Sequence, residues 1–558
     1  MNTTAPARPA GRGAAAAPTH RRERETASPL AGTGSLVRLY GRLSRRAIIV
    51  WSLALLALVP ASILAMEEAY PDQQALDARA MLLDNPSAVM MTGPFFATDR
   101  YTFWAMVANE LMLYVLLAAA IMSVLLSVRH TRTEEETGRL EMTRALATGR
   151  LAPSVAAFTI VTIANLAVGA AVAGGALIVG GPVADSLAMG LATALTGLVF
   201  AAIAAVTAQV TEHAGSASGM ALGLLALAVV VRGIGDVMDR QGSWLSWLSP
   251  IAWAQQTRLY VDLRWWPLLV SLGAVAALLV LAGALSRRRD VGAGLRPASA
   301  GNARAGADLL RPGGLARRLL TPMILAWGIG LFLFAIAFGS LASSLTDVID
   351  QMPAVEEYAP IVLEDLTGSF SAFVLMMLAI GPLALLVSGV LRLRTEEAEG
   401  RLAGVLIAGT SRTGLALAWF LVTFAAVAVM QVLLGLGVGL GVWTATEDTS
   451  WIGDMTLAAL AYLPAIAMTG ALALALLGLS TRTTGLAWLV VVYTALVTFL
   501  GDMLRLPDWA RALSPLDHVA LLPSEDLEVA PLVVMGVAAV VLMVVGLLGL
   551  RRRDLLAG

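Results

Sequence analysis

Two short runs concentrate ionisable side chains in a sequence that is otherwise 58% hydrophobic. They are Arg132-Thr133-Glu134-Glu135-Glu136-Thr137-Gly138-Arg139-Leu140 and Arg394-Thr395-Glu396-Glu397-Ala398-Glu399-Gly400-Arg401-Leu402, identical at seven of nine positions and 262 residues apart. Their chemistry is that of a charged short helix held between two spans. Thr133 is placed to cap it, with Glu134, Glu135 and Glu136 in the first turn, where carboxylates meet the positive end of the helix dipole. Arg139, Arg144 and Arg150 follow toward the negative end. A single such run would read equally well as a solvated connector, but recurrence at matching positions favours a mechanical role.

Missing side chains bound the rest. There is no cysteine, and all 38 Lys+Arg residues are arginine. Disulfides, thiolate nucleophiles and zinc–sulfur sites are excluded, as are a P-loop lysine and a Schiff-base amine. His20, His130, His213 and His518 lie far apart in no ligand spacing, so neither a metal centre nor a resident cofactor is expected. Gly215-Ser216-Ala217-Ser218-Gly219 has nucleophile-like letters without a histidine and aspartate to match. A formal net charge of −1 gives no sign of a nucleic-acid partner.

The elements that must position these runs are membrane spans. Only 14% of residues are charged and mean hydropathy is +0.78. Apolar stretches of spanning length fall at 46–66, 105–128, 153–180, 186–210, 217–238 and 265–286, then at 322–343, 370–392, 414–440, 455–479, 485–502 and 529–550. The expected fold is an all-α integral membrane protein of about twelve helices in two homologous halves, 36–290 and 315–558. A disordered tail, 1–35, precedes them and a linker, 291–314, joins them. The repeat continues past the charged runs: Gly235-Asp236 matches Gly501-Asp502, Leu248-Ser249-Pro250 matches Leu513-Ser514-Pro515, and Arg287–Arg289 match Arg551–Arg553.

Charge sets the orientation. With both termini inside, 30 of the 38 arginines fall on the cytoplasmic side, while acidic residues such as Glu67, Glu68, Asp72, Glu356, Glu357, Glu364, Asp365, Glu447 and Asp448 fall outside. Within the spans, Glu110 is costly to bury and could pair with Arg232, although Arg232 with Asp236, one turn away, is favoured. Asn165 could mark a pathway or bind helices together. Gly169, Gly174, Gly175 and Gly180, with Gly435, Gly437, Gly439 and Gly441, read as close helix packing.

The E-E-x-x-G-R-L pattern with a later arginine between spans two and three, and Leu-Ser-Pro after a Gly-Asp-ended fifth span, resemble ABC exporter permeases of the second type. The long outer loop with Asn85-Pro86 and Gly93-Pro94 makes the chain similar to actinobacterial polyketide-antibiotic exporters such as tetronasin-resistance permeases. The resemblance implies ATPase-coupling residues Glu134, Glu135, Glu136, Gly138, Arg139, Leu140, Arg150, Glu396, Glu397, Glu399, Gly400, Arg401 and Arg412. It implies interfacial helices at 36–43 and 315–320, and re-entrant helices within 239–264 and 503–528. It also implies two copies of a separate ATPase holding ATP and Mg, and an amphiphilic drug or antibiotic as cargo in the plasma membrane. The rival is a proton-coupled twelve-span secondary drug transporter, opposed by the glutamate-rich runs and the long outer loops.

Overall fold

The computed structural model describes residues 28–83, 86–97, 99–146, 148–290, 292–295, 304, 306–340, 366–500 and 506–554. Most of the expected tail, much of the linker, the outer acidic residues 356–365 and the Gly501-Asp502 motif lie outside these residues. The described residues form helices and connecting segments, with no strand.

In chain order the first half has α1 (Thr33–Ala69), the short α2 (Gln73–Leu82) and α3 (Pro86–Thr92), α4 (Phe103–His130), and the short α5 (Arg132–Glu136) and α6 (Arg139–Ala145). It continues with α7 (Ala152–Ile178), α8 (Val183–Val210), α9 (Ala214–Met238), the short α10 (Pro250–Gln255) and α11 (Trp266–Ser286). The second half has α12 (Pro312–Gly339), α13 (Leu366–Ala398), the short α14 (Arg401–Ile407), α15 (Arg412–Thr446), α16 (Ser450–Ala461) and α17 (Leu463–Leu479). It ends with α18 (Leu486–Leu500), the short α19 (Asp508–Arg511) and α20 (Val529–Arg552).

Eleven segments among the described residues are long and apolar enough to cross a membrane, α16 and α17 together counting as one. Pro464 at the start of α17 has no N–H to continue the ladder of α16, and the span breaks there. The twelfth expected span is α18, whose 15 residues rise only about 22 Å.

Two expectations are corrected. The interfacial segments 36–43 and 315–320 are not separate helices: each is the first part of one continuous helix, α1 or α12. Thr133 does not cap α5. That helix begins at Arg132, and the preceding Thr131 turns its hydroxyl back to the Ser127 carbonyl.

The chain divides into two compact units, residues 1–77 with 89–299 and residues 78–88 with 300–558. In the first, α8 is the hub, packing against α4, α7, α9 and α11, while α1 lies on α7 and α4. In the second, the α16–α17 span has the same neighbours in repeat order, α13, α15, α18 and α20, while α12 lies on α15 and α13. The sequence repeat is thus a repeat of packing. Side chains such as Val533, Val537, Val540 and Val544 on α20 remain exposed, as lipid-facing residues do.

Small residues let these backbones meet. A Cβ on Gly169 would lie 2.5 Å from the Gly190 carbonyl oxygen, and one on Gly190 would lie 2.3 Å from that of Gly169. Gly435 and Gly439 of α15 meet the backbone of α16 in the same way. Neither Gly174 nor Gly180 makes such a contact: a Cβ on Gly174 would find only Leu56 at 3.8 Å, and Gly180 is a turn residue at φ +84.

Gly169→Ala or Gly190→Ala should destabilise the protein by about 1–3 kcal/mol, because the clash is with backbone that cannot rotate away. Gly223→Ala in α9, with nothing within 4 Å of the new methyl, should leave stability unchanged or raised. Thermal melts in one detergent check the order.

Candidate functional site

The two charged runs fold alike. In each, a helix ends and another begins at a glycine held in the left-handed region, Gly138 at φ 71 and Gly400 at φ 73. The backbone bonds repeat: Gly138 N–H donates to Glu135 O and Glu141 N–H to Gly138 O, as Gly400 does to Glu397 O and Ala403 to Gly400 O. A Cβ would meet nothing at either glycine, so the positive φ, not crowding, selects glycine here.

The side chains then repeat a circuit. Glu135 receives two bonds from Arg289 at the end of α11, Nη1 to Oε2 and Nη2 to Oε1, both 2.8 Å. Glu397 receives Arg553 Nη2 at 2.6 Å from the end of α20. Glu134 lies 3.2 Å from Arg139, and Arg401 Nε donates to Glu396 at 2.6 Å. That bond to Glu396 holds the Arg401 guanidinium above its usual pKa. Arg132, buried to 1% exposure, adds a bond to Glu135 at 2.7 Å and donates to the carbonyls of Glu212, Gly292 and Ala293. Its counterpart Arg394 reaches Thr484 Oγ1 at 2.7 Å. Each charged run is therefore bolted to the end of the sixth span and to the connector between spans four and five.

The expected coupling residues fall into groups. Glu135, Glu396 and Glu397 are turned into the fold and held by arginines of the same chain. Glu136 binds His213 Nδ1 at 3.2 Å and caps α9 through Ala214 N–H at 2.9 Å. Leu140 and Leu402 are buried anchors. Arg139, Arg401, Glu399 and much of Glu136 remain open to solvent, and Arg401 also pairs with Glu399. Arg150 borders a cavity beside α6, and Arg412 Nη1 donates to the Arg553 carbonyl at 2.9 Å.

Residues the sequence reading missed complete the site. Arg289 and Arg553 were visible as repeated arginines but not as partners of Glu135 and Glu397; the similar repeat offsets of the two motifs, 262 and 264 residues, were the available signal. Also missed were exposed apolar side chains on the two short helices, Met142 at 64% and Ile407 at 86%, and Leu146 at 67% just past the end of α6.

At the opposite ends of the spans, Arg232 meets Asp236 at 3.3 Å rather than Glu110. It also donates to Gln255 Oε1 at 3.3 Å and to the Met90 carbonyl, while Gln255 Nε2 donates to Thr92 O at 3.1 Å. Ser246 donates to Asp236 at 2.6 Å, and a Cβ on Gly235 would lie 2.4 Å from Ser246 N, which accounts for Gly-Asp. Ser249 caps α10 and Pro250 starts it, which accounts for Ser-Pro. Asn165 is fully buried, bonded to Ser123 of α4 and seated over Gly197 of α8, contacts that bind these helices together. Glu110 is half-buried in α4.

A bundle of apolar spans built twice over, with one charged break per half, is the architecture of a multi-pass transport protein. A family model described as "Multidrug efflux system permease Rv1217c, C-terminal domain" matches residues 34–288 and 309–551. The chain is 33% identical over 544 residues to the multidrug efflux system permease protein Rv1217c of Mycobacterium tuberculosis (strain ATCC 25618 / H37Rv), covering 97% of this chain and 98% of that one. The chain belongs to this multidrug efflux permease family.

Removing Glu135 leaves two guanidiniums, those of Arg132 and Arg289, without this carboxylate. Glu135→Gln should therefore cost about 3–5 kcal/mol. A double-mutant cycle of Glu135→Gln with Arg289→Gln, read by thermal melting, should give a coupling of at least about 1 kcal/mol.

Proposed function

We propose that this chain is the membrane subunit of an ATP-driven exporter that moves amphiphilic or hydrophobic drugs or antibiotics out of the cell. It is energised by two copies of a separate ATPase that dock on α6 and α14. The observation that carries the reading is the duplicated break at Gly138 and Gly400: two helices with the same backbone, each locked to its sixth span and each presenting exposed apolar side chains outside the membrane-spanning segments. ATP and Mg would sit on the partner, since a chain without lysine cannot build a P-loop.

The arginine distribution supports a plasma-membrane protein with both termini cytoplasmic, two membrane halves and a cytoplasmic linker at 291–314. The family supports drug efflux, and the motif order supports the second-type ABC permeases and their polyketide-antibiotic branch. In this mechanism the ATPase grips Met142, Leu146 and Ile407, with Arg139, Arg401 and Glu399 at the rim. A push on α6 passes through Glu135–Arg289 to α11, and a push on α14 passes through Glu397–Arg553 to α20. Charge-assisted bonds of this geometry are short and directional, so they transmit displacement rather than absorb it.

The test is co-expression with an ATPase encoded beside the gene, then pulldown and drug-stimulated hydrolysis in lipid. Leu146→Glu together with Ile407→Glu should reduce ATPase recovery about tenfold or more while the melting temperature holds, because neither side chain is buried. No copurifying ATPase, with proton-driven transport by the chain alone, would overturn the reading in favour of a secondary transporter.

A further inference from the structure

Beside α6 in the first half lies a cavity of about 100 Å³, several times the space one water needs. The ends of four membrane helices border it: His130 of α4, Pro153 and Ser154 of α7, Gln209 of α8 and Ser286 of α11. Its charged lining is Glu135, Arg144, Arg150 and Arg289. Glu135 and Arg289 neutralise each other, which leaves Arg144 and Arg150. Neither has an ion-pair partner among the described residues, so the cavity has an excess of two positive charges.

One wall of the cavity is fixed: His130 is 2% exposed, its Nε2 lies 2.5 Å from Ser44 Oγ, and Tyr40 stacks on the ring with centroids 4.7 Å apart.

We infer that this cavity binds a phosphate group, supplied by the headgroup of an anionic phospholipid. Arg144 and Arg150 hold its charge. The setting favours lipid as the source, because span ends frame the cavity on the arginine-rich face, where anionic headgroups gather against basic pockets. The matching positions of the second half carry different residues. Leu406 stands at the position of Arg144 and Arg392 at that of His130, while Arg412, the counterpart of Arg150, is engaged with the Arg553 carbonyl. The two halves thus differ in what lies beside their coupling helices, which goes beyond the exporter reading and does not depend on it.

The test uses the full chain without any ATPase, in nanodiscs of phosphatidylcholine alone or with phosphatidylglycerol, read by thermal melting and by native mass spectrometry of retained lipid. Phosphatidylglycerol should stabilise the wild type, and Arg144→Gln with Arg150→Gln should weaken its retention about tenfold. Arg287→Gln with Arg288→Gln, which removes the same charge from outside the cavity, should not. Arg144→Gln alone, an exposed change, serves if the pair fails to fold. Inorganic phosphate added to phosphatidylcholine discs separates the sources: full stabilisation by phosphate would assign the site to the free anion, and little would assign it to lipid. Retention that is equal in the wild type and both pairs, with no response to phosphate, would overturn the inference.

Discussion

A buried guanidinium must face a carboxylate, and this constraint organises the arginine-rich side of both halves. In a chain whose every fixed cation is arginine, the ends of the second and sixth spans bring guanidiniums into the protein at Arg132, Arg289 and Arg553. Glu135 and Glu397 answer them. Because an unpaired charge there costs several kcal/mol, the charged runs cannot swing free; each is part of its six-helix half. The glycine that follows lets the chain reverse within one residue, so the next helix projects from a fixed base.

That arrangement changes what the glutamates do. Read as sequence, Glu134, Glu135 and Glu136 with Glu396, Glu397 and Glu399 are like members of two charged helices. In the structure the charges divide: one glutamate of each run ties to the sixth span, one closes onto the following arginine, and the remainder meets solvent. The short helices' apolar side chains, Met142 and Ile407 among them, stay exposed beside the arginines at their rim. The charges tie each run to its own half, and the apolar surface is left uncovered.

Much of the fold was legible because its signals are periodic. Span-length apolar runs, the nearly constant offset of the repeats, 262 to 266 residues, and the sorting of arginine from carboxylate each required only counting. The Gly-Asp and Leu-Ser-Pro motifs were visible too, although their reason was not: Gly235 and Ser246 meet only when the fold turns back on α9. Pairings were illegible, because Glu135 and Arg289 are 154 residues apart and nothing local names one as the other's partner. The continuous α1 and α12 also escaped, since polar and apolar residues in succession look like two elements when backbone continuity is unseen. His130 read as an ordinary loop histidine because the serine that fixes its ring lies 86 residues earlier.

The natural absence of cysteine makes the central claim open to one direct measurement. Single cysteines placed at Leu146 and at Ile407 can be labelled with a membrane-impermeant maleimide in intact cells, in inverted vesicles, and in inverted vesicles with the ATPase added. Both positions should stay unlabelled in intact cells, label fully in inverted vesicles and become protected when the ATPase binds. Labelling from the outer side, or labelling from the inner side that the ATPase leaves unchanged at both positions, would contradict the account of α6 and α14 as paired cytoplasmic docking helices.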